Sequence, residues 1–325
     1  MSDLRKNLRR AAAVIVAAAV FLPLSASAYA QELKKVRIGY PAFSLTFLTF
    51  FVGKDAGIYR KHGLDVDLVQ MAGAVQTSAL VAGEIDYLTG ITTPLVAAAR
   101  GLPFKGIMIT HEKTMFWLIG SPATRIEDLA GKNVAVDRLG TLQEIVARDL
   151  VKRKGGNPEQ VTFVQTGSVS NSVQSLSQGN VAAAVLSLPH NFVMTQKGYP
   201  VLASALEFDQ RSASGGIATH ESKLKKDPAG VRAVLRATLE AMEFNRREKA
   251  WMVGYIQKKW NLSSKIAEQS YQVWLQGATA DGKIPIKDLQ EIYDEALAAK
   301  LIPSPVPVAK VMDYSWLDEV LKAKR

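Results

Sequence analysis

Apolar and polar residues trade places along this chain with two different periods. In Leu64-Asp65-Val66-Asp67-Leu68 they alternate strictly, the period of a strand with one covered face. From residue 231 to 245 the apolar positions recur at i, i+3 and i+4, the period of an amphipathic helix. Between residues 36 and 205 the two kinds of stretch take turns. The pattern predicts strands at 36–40, 64–69, 85–87 and 103–110, with helices at 46–56, 75–82 and 93–100 between them. A second set follows, with strands at 133–136, 161–165, 183–186 and 201–205 and helices at 141–152, 170–177 and 189–196. Gly57 closes the first helix where left-handed backbone is cheap, and Gly63 allows the next reversal. Residues 36–69 therefore read as one βαβ unit, since parallel strands need such a crossover. The clean alternation at its end suits an edge strand.

The two sets echo each other loosely. At an offset of 96 residues Leu80 matches Leu176, Gly83 matches Gly179 and Ile85 matches Val181. The echo fits two lobes of one α/β design. After Gly216 no strands are expected, only helical runs at 231–245, 249–260, 263–275 and 286–299. A helical tail cannot bury its apolar face alone, so it is expected to pack on the first lobe. The chain then crosses outward near 116–121 and back near 215–220. Lobe one is expected to hold 31–120 and 217–325, and lobe two 121–216.

Residues 1–30 are set apart from the fold. Arg5, Lys6, Arg9 and Arg10 precede an apolar run of 12 residues, 11–22, and two A-x-A sites end at Ala28 and Ala30. This is the pattern of a cleaved signal peptide and is too short for a membrane span. The mature chain is expected in an extracytoplasmic space, most simply a periplasm, as a soluble monomer. The segment carries four basic residues and one acid, so its removal lowers the formal charge from +10 to +7. The remaining basic runs, such as Lys152-Arg153-Lys154, lack interleaved aromatics and read as solvated helix faces, so no nucleic-acid partner is expected. The chain has no cysteine and four scattered histidines, which excludes disulfides and thiolate sites and gives no metal motif. No cofactor is expected.

The runs KVRIGY, GKDAGIYRKHGLDVDL, ALVAGEIDYLTG, RGLPFKGI and IEDLAGKNVAV, in that order, resemble the periplasmic solute-binding proteins of ABC importers. Within these, the similarity is to the group that includes aliphatic-sulfonate, taurine and nitrate binders and thiamine-pyrimidine-precursor-like proteins. It covers most of residues 34–245. The resemblance implies a two-lobe, type II periplasmic-binding fold, each lobe a mostly parallel sheet flanked by helices, with the ligand held between lobes that close about a hinge. It also implies a partner permease in the inner membrane. The rival class is an enzyme like the thiamine-pyrimidine synthases. Those relatives use a histidine, a lysine-bound cofactor and often a cysteine cluster, and the cluster is absent here. A binding protein that feeds a sensor is a third reading.

In open α/β sheets a ligand sits beyond the carboxyl ends of the strands, near helix N-termini. That rule selects Phe43, Ser44 and Leu45 after the first strand, Gln76 before the second helix, and Thr92 and Thr93 after the third strand. In the second lobe it selects Arg138, Gly140, Thr141 and Leu142, then Ser168 and Asn171, then Pro189 and His190. Backbone N–H groups with hydroxyls and amides suit an anion, so the expected ligand is a small organic anion. Each hydroxyl also reads as an ordinary N-cap. Phe43, Phe47 and Trp117 could wall an organic body, with Phe47 read foremost as core. Arg138 either forks onto an acid group or points to solvent. His190 either binds an acid group or starts a solvated helix, while His62, His111 and His220 read as structural or surface residues.

Overall fold

The computed structural model describes residues 32–71, 73–208, 211–298 and 302–324. The expected signal segment lies outside them. Among the described residues ten strands form two five-stranded sheets. The first sheet takes β1 (Lys34–Tyr40), β2 (Leu64–Gln70), β3 (Tyr87–Leu88), β4 (Phe104–Lys113) and β10 (Arg211–His220). The second takes β5 (Phe116–Gly120), β6 (Asn133–Val136), β7 (Thr162–Gln165), β8 (Ala183–Ser187) and β9 (Val201–Ser204). Their orders are β2-β1-β3-β10-β4 and β7-β6-β8-β5-β9. In each sheet four strands run one way, and one, β10 or β5, runs against its two neighbours. The two-lobe α/β architecture is thus the expected one, with mixed sheets. β2 is the edge strand its alternation called for, with Leu64 and Val66 buried against the helices and Asp65 and Asp67 outside.

The sheets correct the expected crossings. Phe116–Gly120 is a strand of the second sheet, so the chain passes out at residues 114–115 and not within 116–121. Arg211–His220 is a strand of the first sheet, so the return lies before Arg211 and not at 215–220. Each crossing strand is antiparallel because it enters its sheet from the opposite lobe. The internal echo has a structural basis. Leu80 and Leu176 are both buried, and Gly83 and Gly179 end the equivalent helices at φ +74° and +73°.

The first sheet is flanked by α1 (Leu48–Asp55), α2 (Ile58–Lys61), α3 (Gly73–Ala82) and α4 (Thr92–Ala99). The second is flanked by α5 (Leu142–Arg153), α6 (Val169–Ser177) and α7 (His190–Gln196). The remaining helices are α8 (Glu221–Lys226), α9 (Pro228–Arg247), α10 (Lys249–Trp260), α11 (Ser264–Gly277), α12 (Ile286–Ala298), α13 (Val308–Val311) and α14 (Ser315–Lys322). α9 starts at Asp227, whose carboxylate accepts the Gly230 N–H at 3.1 Å, with Pro228 next in the position where a missing N–H costs nothing. Its buried stripe, Val231, Val234, Leu235, Thr238, Leu239 and Met242, has helical spacing and lies against α1, α2 and α14 on the first lobe. α12 and α13 also cover the first sheet. α10 and α11 reach further. Met252, Ile256, Tyr271 and Trp274 share one apolar cluster with Leu45 and Leu48 of lobe one and with Trp117 and Leu186 of the second sheet. That cluster joins residues of both lobes.

Candidate ligand-binding cleft

The loops that leave β1, β3, β6 and β8 converge from the two lobes on a chamber of about 150 Å³. A second chamber of about 180 Å³ shares Pro41, Ala42, Asp137, Arg138 and Val169 with it, so the two are halves of one interlobe cleft. A wider opening of about 660 Å³ adjoins the first chamber at Thr92 and Leu142. Each inner chamber alone is below the 300–1,000 Å³ usual for small-molecule sites, and the two together reach only its lower end.

The sequence-selected loops come together here, but not every selected side chain faces the cleft. Ser44, Thr92, Thr93, Arg138, Thr141 and Leu142 line the first chamber. Phe43, Ser168 and His190 join Arg138 around the second. Phe43 is 37% exposed and stacks on Trp260 with centroids 4.6 Å apart, a flat apolar end wall. Phe47 does double duty, buried in the core with an edge on the first chamber. Leu45, in contrast, is fully buried in the apolar cluster beneath the cleft. Gln76 is turned back into lobe one, where its amide donates to the Met71 carbonyl at 2.7 Å. Asn171 donates to the Thr166 carbonyl at 2.7 Å and lies outside both chambers. Gly140 and Pro189 shape their loops without lining either chamber; Gly140 needs its φ of +72° for the turn into α5. Trp117 sits in the shared apolar cluster. These residues follow the loop rule in position but not in direction, which backbone pattern alone does not set.

The two helix starts that face the cleft differ. Ser168 is an ordinary N-cap, its hydroxyl accepting the Asn171 N–H at 3.1 Å. Thr141 has the extended backbone of an N-cap, φ −105° and ψ 165°, but its hydroxyl donates to the Arg138 carbonyl at 2.8 Å and caps nothing. The first-turn N–H groups of α5 thus receive no side-chain cap from Thr141, and Thr141, Leu142 and Gln143 put that helix start on the chamber wall, with the Glu144 carboxylate of its first turn accepting the Gly140 N–H at 2.7 Å. Thr92 donates to the Ala213 carbonyl at 3.1 Å, which ties the first lobe's loop to the returning strand β10. Burial holds the His190 imidazole below its ordinary pKa, so it offers a neutral ring and not a cation.

Asp137, Ser187 and Met115 line the first chamber without having been expected there. Asp137 follows β6 and Ser187 ends β8, so the carboxyl-end rule applied to every strand finds both. Met115 belongs to the outward crossing and carries no motif. Burial pushes the Asp137 carboxyl above the usual range, opposed by the Arg138 N–H and guanidinium and by Thr141. The Ser187 hydroxyl is buried without a partner among the described residues. The His62, His111 and His220 side chains all lie away from the cleft: His62 pairs with Glu240, His111 is buried by β4, and His220 caps α8.

A family model described as NMT1/THI5-like matches residues 44–248. The riboflavin-binding protein RibY of Chloroflexus aurantiacus is 25% identical over 217 residues, 61% of this chain and 58% of that relative's length. The alkanesulfonate-binding protein SsuA of Xanthomonas axonopodis pv. citri, solved with bound MOPS, superposes with a TM-score of 0.71 at 21% identity, covering 87% of this chain and 99% of that one. The periplasmic nitrate-binding protein NrtA of Synechocystis PCC 6803 superposes with a TM-score of 0.70 at 14% identity, covering 90% and 89%. These superpositions bear on the fold alone. Among the described residues no helix is long and apolar enough to cross a membrane.

Proposed function

Because the chain belongs to the NMT1/THI5-like family, we propose that it is a periplasmic solute-binding protein that traps a small organic solute bearing an acidic group between its two lobes and hands it to an ABC-transporter permease. The observation that carries this reading is the interlobe cleft itself. Strand ends from both lobes meet in it, so a ligand there touches both lobes only when they are closed. Such a ligand favours closure by its differential contacts with the closed state. The names of the similar proteins, binders of riboflavin, alkanesulfonate and nitrate, point the same way. An acidic group is supported by the Arg138 guanidinium on the cleft wall and by the start of α5. The similar proteins named above are described as binders, and binding without chemistry is the reading adopted.

The test is native mass spectrometry of the monomer purified from a periplasmic extract, followed by small-angle scattering with the molecule it carries. A co-purified small molecule, whose removal expands the radius of gyration and whose return contracts it, is the expected result. At 100-fold excess over Kd the ligand stabilises the protein by about 2.7 kcal/mol. A protein that carries nothing, and whose scattering no small molecule changes, contradicts the proposal.

A further inference from the structure

We propose that Asp137 makes the cleft selective for amphoteric ligands, taking a hydrogen-bond-donating nitrogen of the ligand while Arg138 takes its acidic group. This rests on the solute-binding reading above and narrows its ligand class. Asp137 and Arg138 are neighbours on the loop after β6, and both line both inner chambers. Yet among the described residues no salt bridge involves Asp137, and the Arg138 guanidinium acts on its carboxyl only through its field. The donors to its carboxylate are the Arg138 N–H at 2.7 Å and the Thr141 hydroxyl at 3.5 Å, both on Oδ1, together with its own backbone N–H. The Thr141 proton is better placed on the Arg138 carbonyl, at 2.8 Å. No other described residue donates to the carboxylate, and Asp137 lines both chambers, so it keeps acceptor capacity at the cleft. The Arg138 guanidinium likewise makes no hydrogen bond with a described residue.

Two opposite charges on neighbouring residues, half-buried and without a salt bridge, are costly alone and complementary to a ligand that carries both kinds of group. A simple anion satisfies Arg138 but brings a second negative charge within a few ångströms of Asp137, where screening by water is weak. A nitrogen donor removes that repulsion and supplies the missing hydrogen bond. The raised affinity of Asp137 for a proton fits the same lack of donors. A site built to hydrogen-bond a donor rejects analogues that lack it, because its own group is then left unpaired. The competing arrangement is a protonated Asp137 that donates to the anion. Asp137→Asn separates the two: its amide still donates, so it keeps simple-anion binding, but it no longer attracts a ligand ammonium. The substitution is close to isosteric and its Oδ1 can still accept the Arg138 N–H, so the loop is retained.

The experiment is titration calorimetry of the mature protein and of Asp137→Asn with matched probes that differ by one nitrogen: taurine against ethanesulfonate, and 4-aminobenzoate against benzoate. The wild type is expected to bind the nitrogen-bearing member of at least one pair about tenfold or more tightly, and the variant is expected to lose that preference. Three results overturn the assignment: equal or stronger binding of the nitrogen-free members, a preference that survives in the variant, or no nitrogen-dependent binding in either pair. Native mass spectrometry distinguishes this failure from the failure of the solute-binding reading. A co-purified molecule without a donor nitrogen removes the role of Asp137 and leaves capture between lobes standing. An empty protein that binds none of the probes removes the role of Asp137, and the solute-binding reading falls with it only if no small molecule changes the scattering.

Discussion

His111 lies on β4, the strand that leads out of the first lobe, and is 1% exposed. Its Nε2 sits 3.2 Å from the Met115 sulfur, Gly277 presses against the ring, and Trp274 lies 5.9 Å away. Burial lowers its pKa from 6.5 to about 3. A base whose charged form is disfavoured in the fold binds protons more weakly folded than unfolded. Its contribution to stability is therefore present above about pH 6.5 and is lost as pH falls from there towards 3. The loss is at most about 1.4 kcal/mol per pH unit. Urea midpoints at pH 7 and pH 5 should move apart more in the wild type than in His111→Gln; equal shifts in both would refute this account. Arg138 is the second residue with a measurable consequence. Its guanidinium faces the cleft unpaired, so Arg138→Ala should weaken ligand binding by about 1.5–3 kcal/mol, the range for hydrogen bonds to a charged group. Calorimetry of a variant with a native circular-dichroism spectrum decides it, and unchanged affinity would place the guanidinium in solvent.

Where β10 passes beside β4, two glycines break the register: Gly215 pairs with His111 and Gly216 with Ile109. A Cβ on Gly216 would lie 2.3 Å from the Met108 carbonyl oxygen, a backbone atom held by its own sheet. Gly216→Ala should therefore cost at least about 1–3 kcal/mol by overpacking, seen as a lower denaturation midpoint; a midpoint within error of the wild type would mean that β10 can shift outward freely. The same strand explains what could not be read from sequence. RSASGGIATH has neither alternation nor helical spacing, because β10 is covered on both faces and lies between β3 and β4. FWLIG is likewise an unbroken apolar run, and only pairing with β8 and β9 makes it a strand of the second lobe. Elements with one wet face were legible: β2 through Asp65 and Asp67, and α9 through its stripe from Val231. In the cleft the loops were legible and the side-chain directions were not. Leu45 and Ser44 are adjacent on one loop, yet one fills the core and the other lines the chamber.

At the scale of the whole molecule, the apolar cluster that contains Trp274 sets how the two lobes relate. It draws Leu48 and Val52 from α1, Trp117 and Ile119 from β5, Ala184 and Leu186 from β8, and Ile256 and Tyr271 from the C-terminal helices. α11 touches α7 of one lobe and β4 of the other. The Leu45 N–H also reaches the Leu188 carbonyl at 3.4 Å, a backbone link across the same region. An opening of the cleft is expected to pivot about this cluster, since separating it would expose large apolar side chains to water. The cluster should also couple the lobes in unfolding. A lobe that melted alone would strip the other of part of its core, so partly unfolded states are penalised by the apolar area they expose. Calorimetric and van't Hoff enthalpies of the ligand-free protein should then agree, as for a single cooperative unit. Trp274 is 1% exposed, and Trp274→Ala should remove about 3–5 kcal/mol. It should also weaken the coupling, so that the calorimetric enthalpy exceeds the van't Hoff value and two transitions separate. Two resolved transitions already in the wild type would mean that the cluster packs against both lobes without joining them energetically, and the pivot would then lie in the crossing segments at 114–115 and before Arg211.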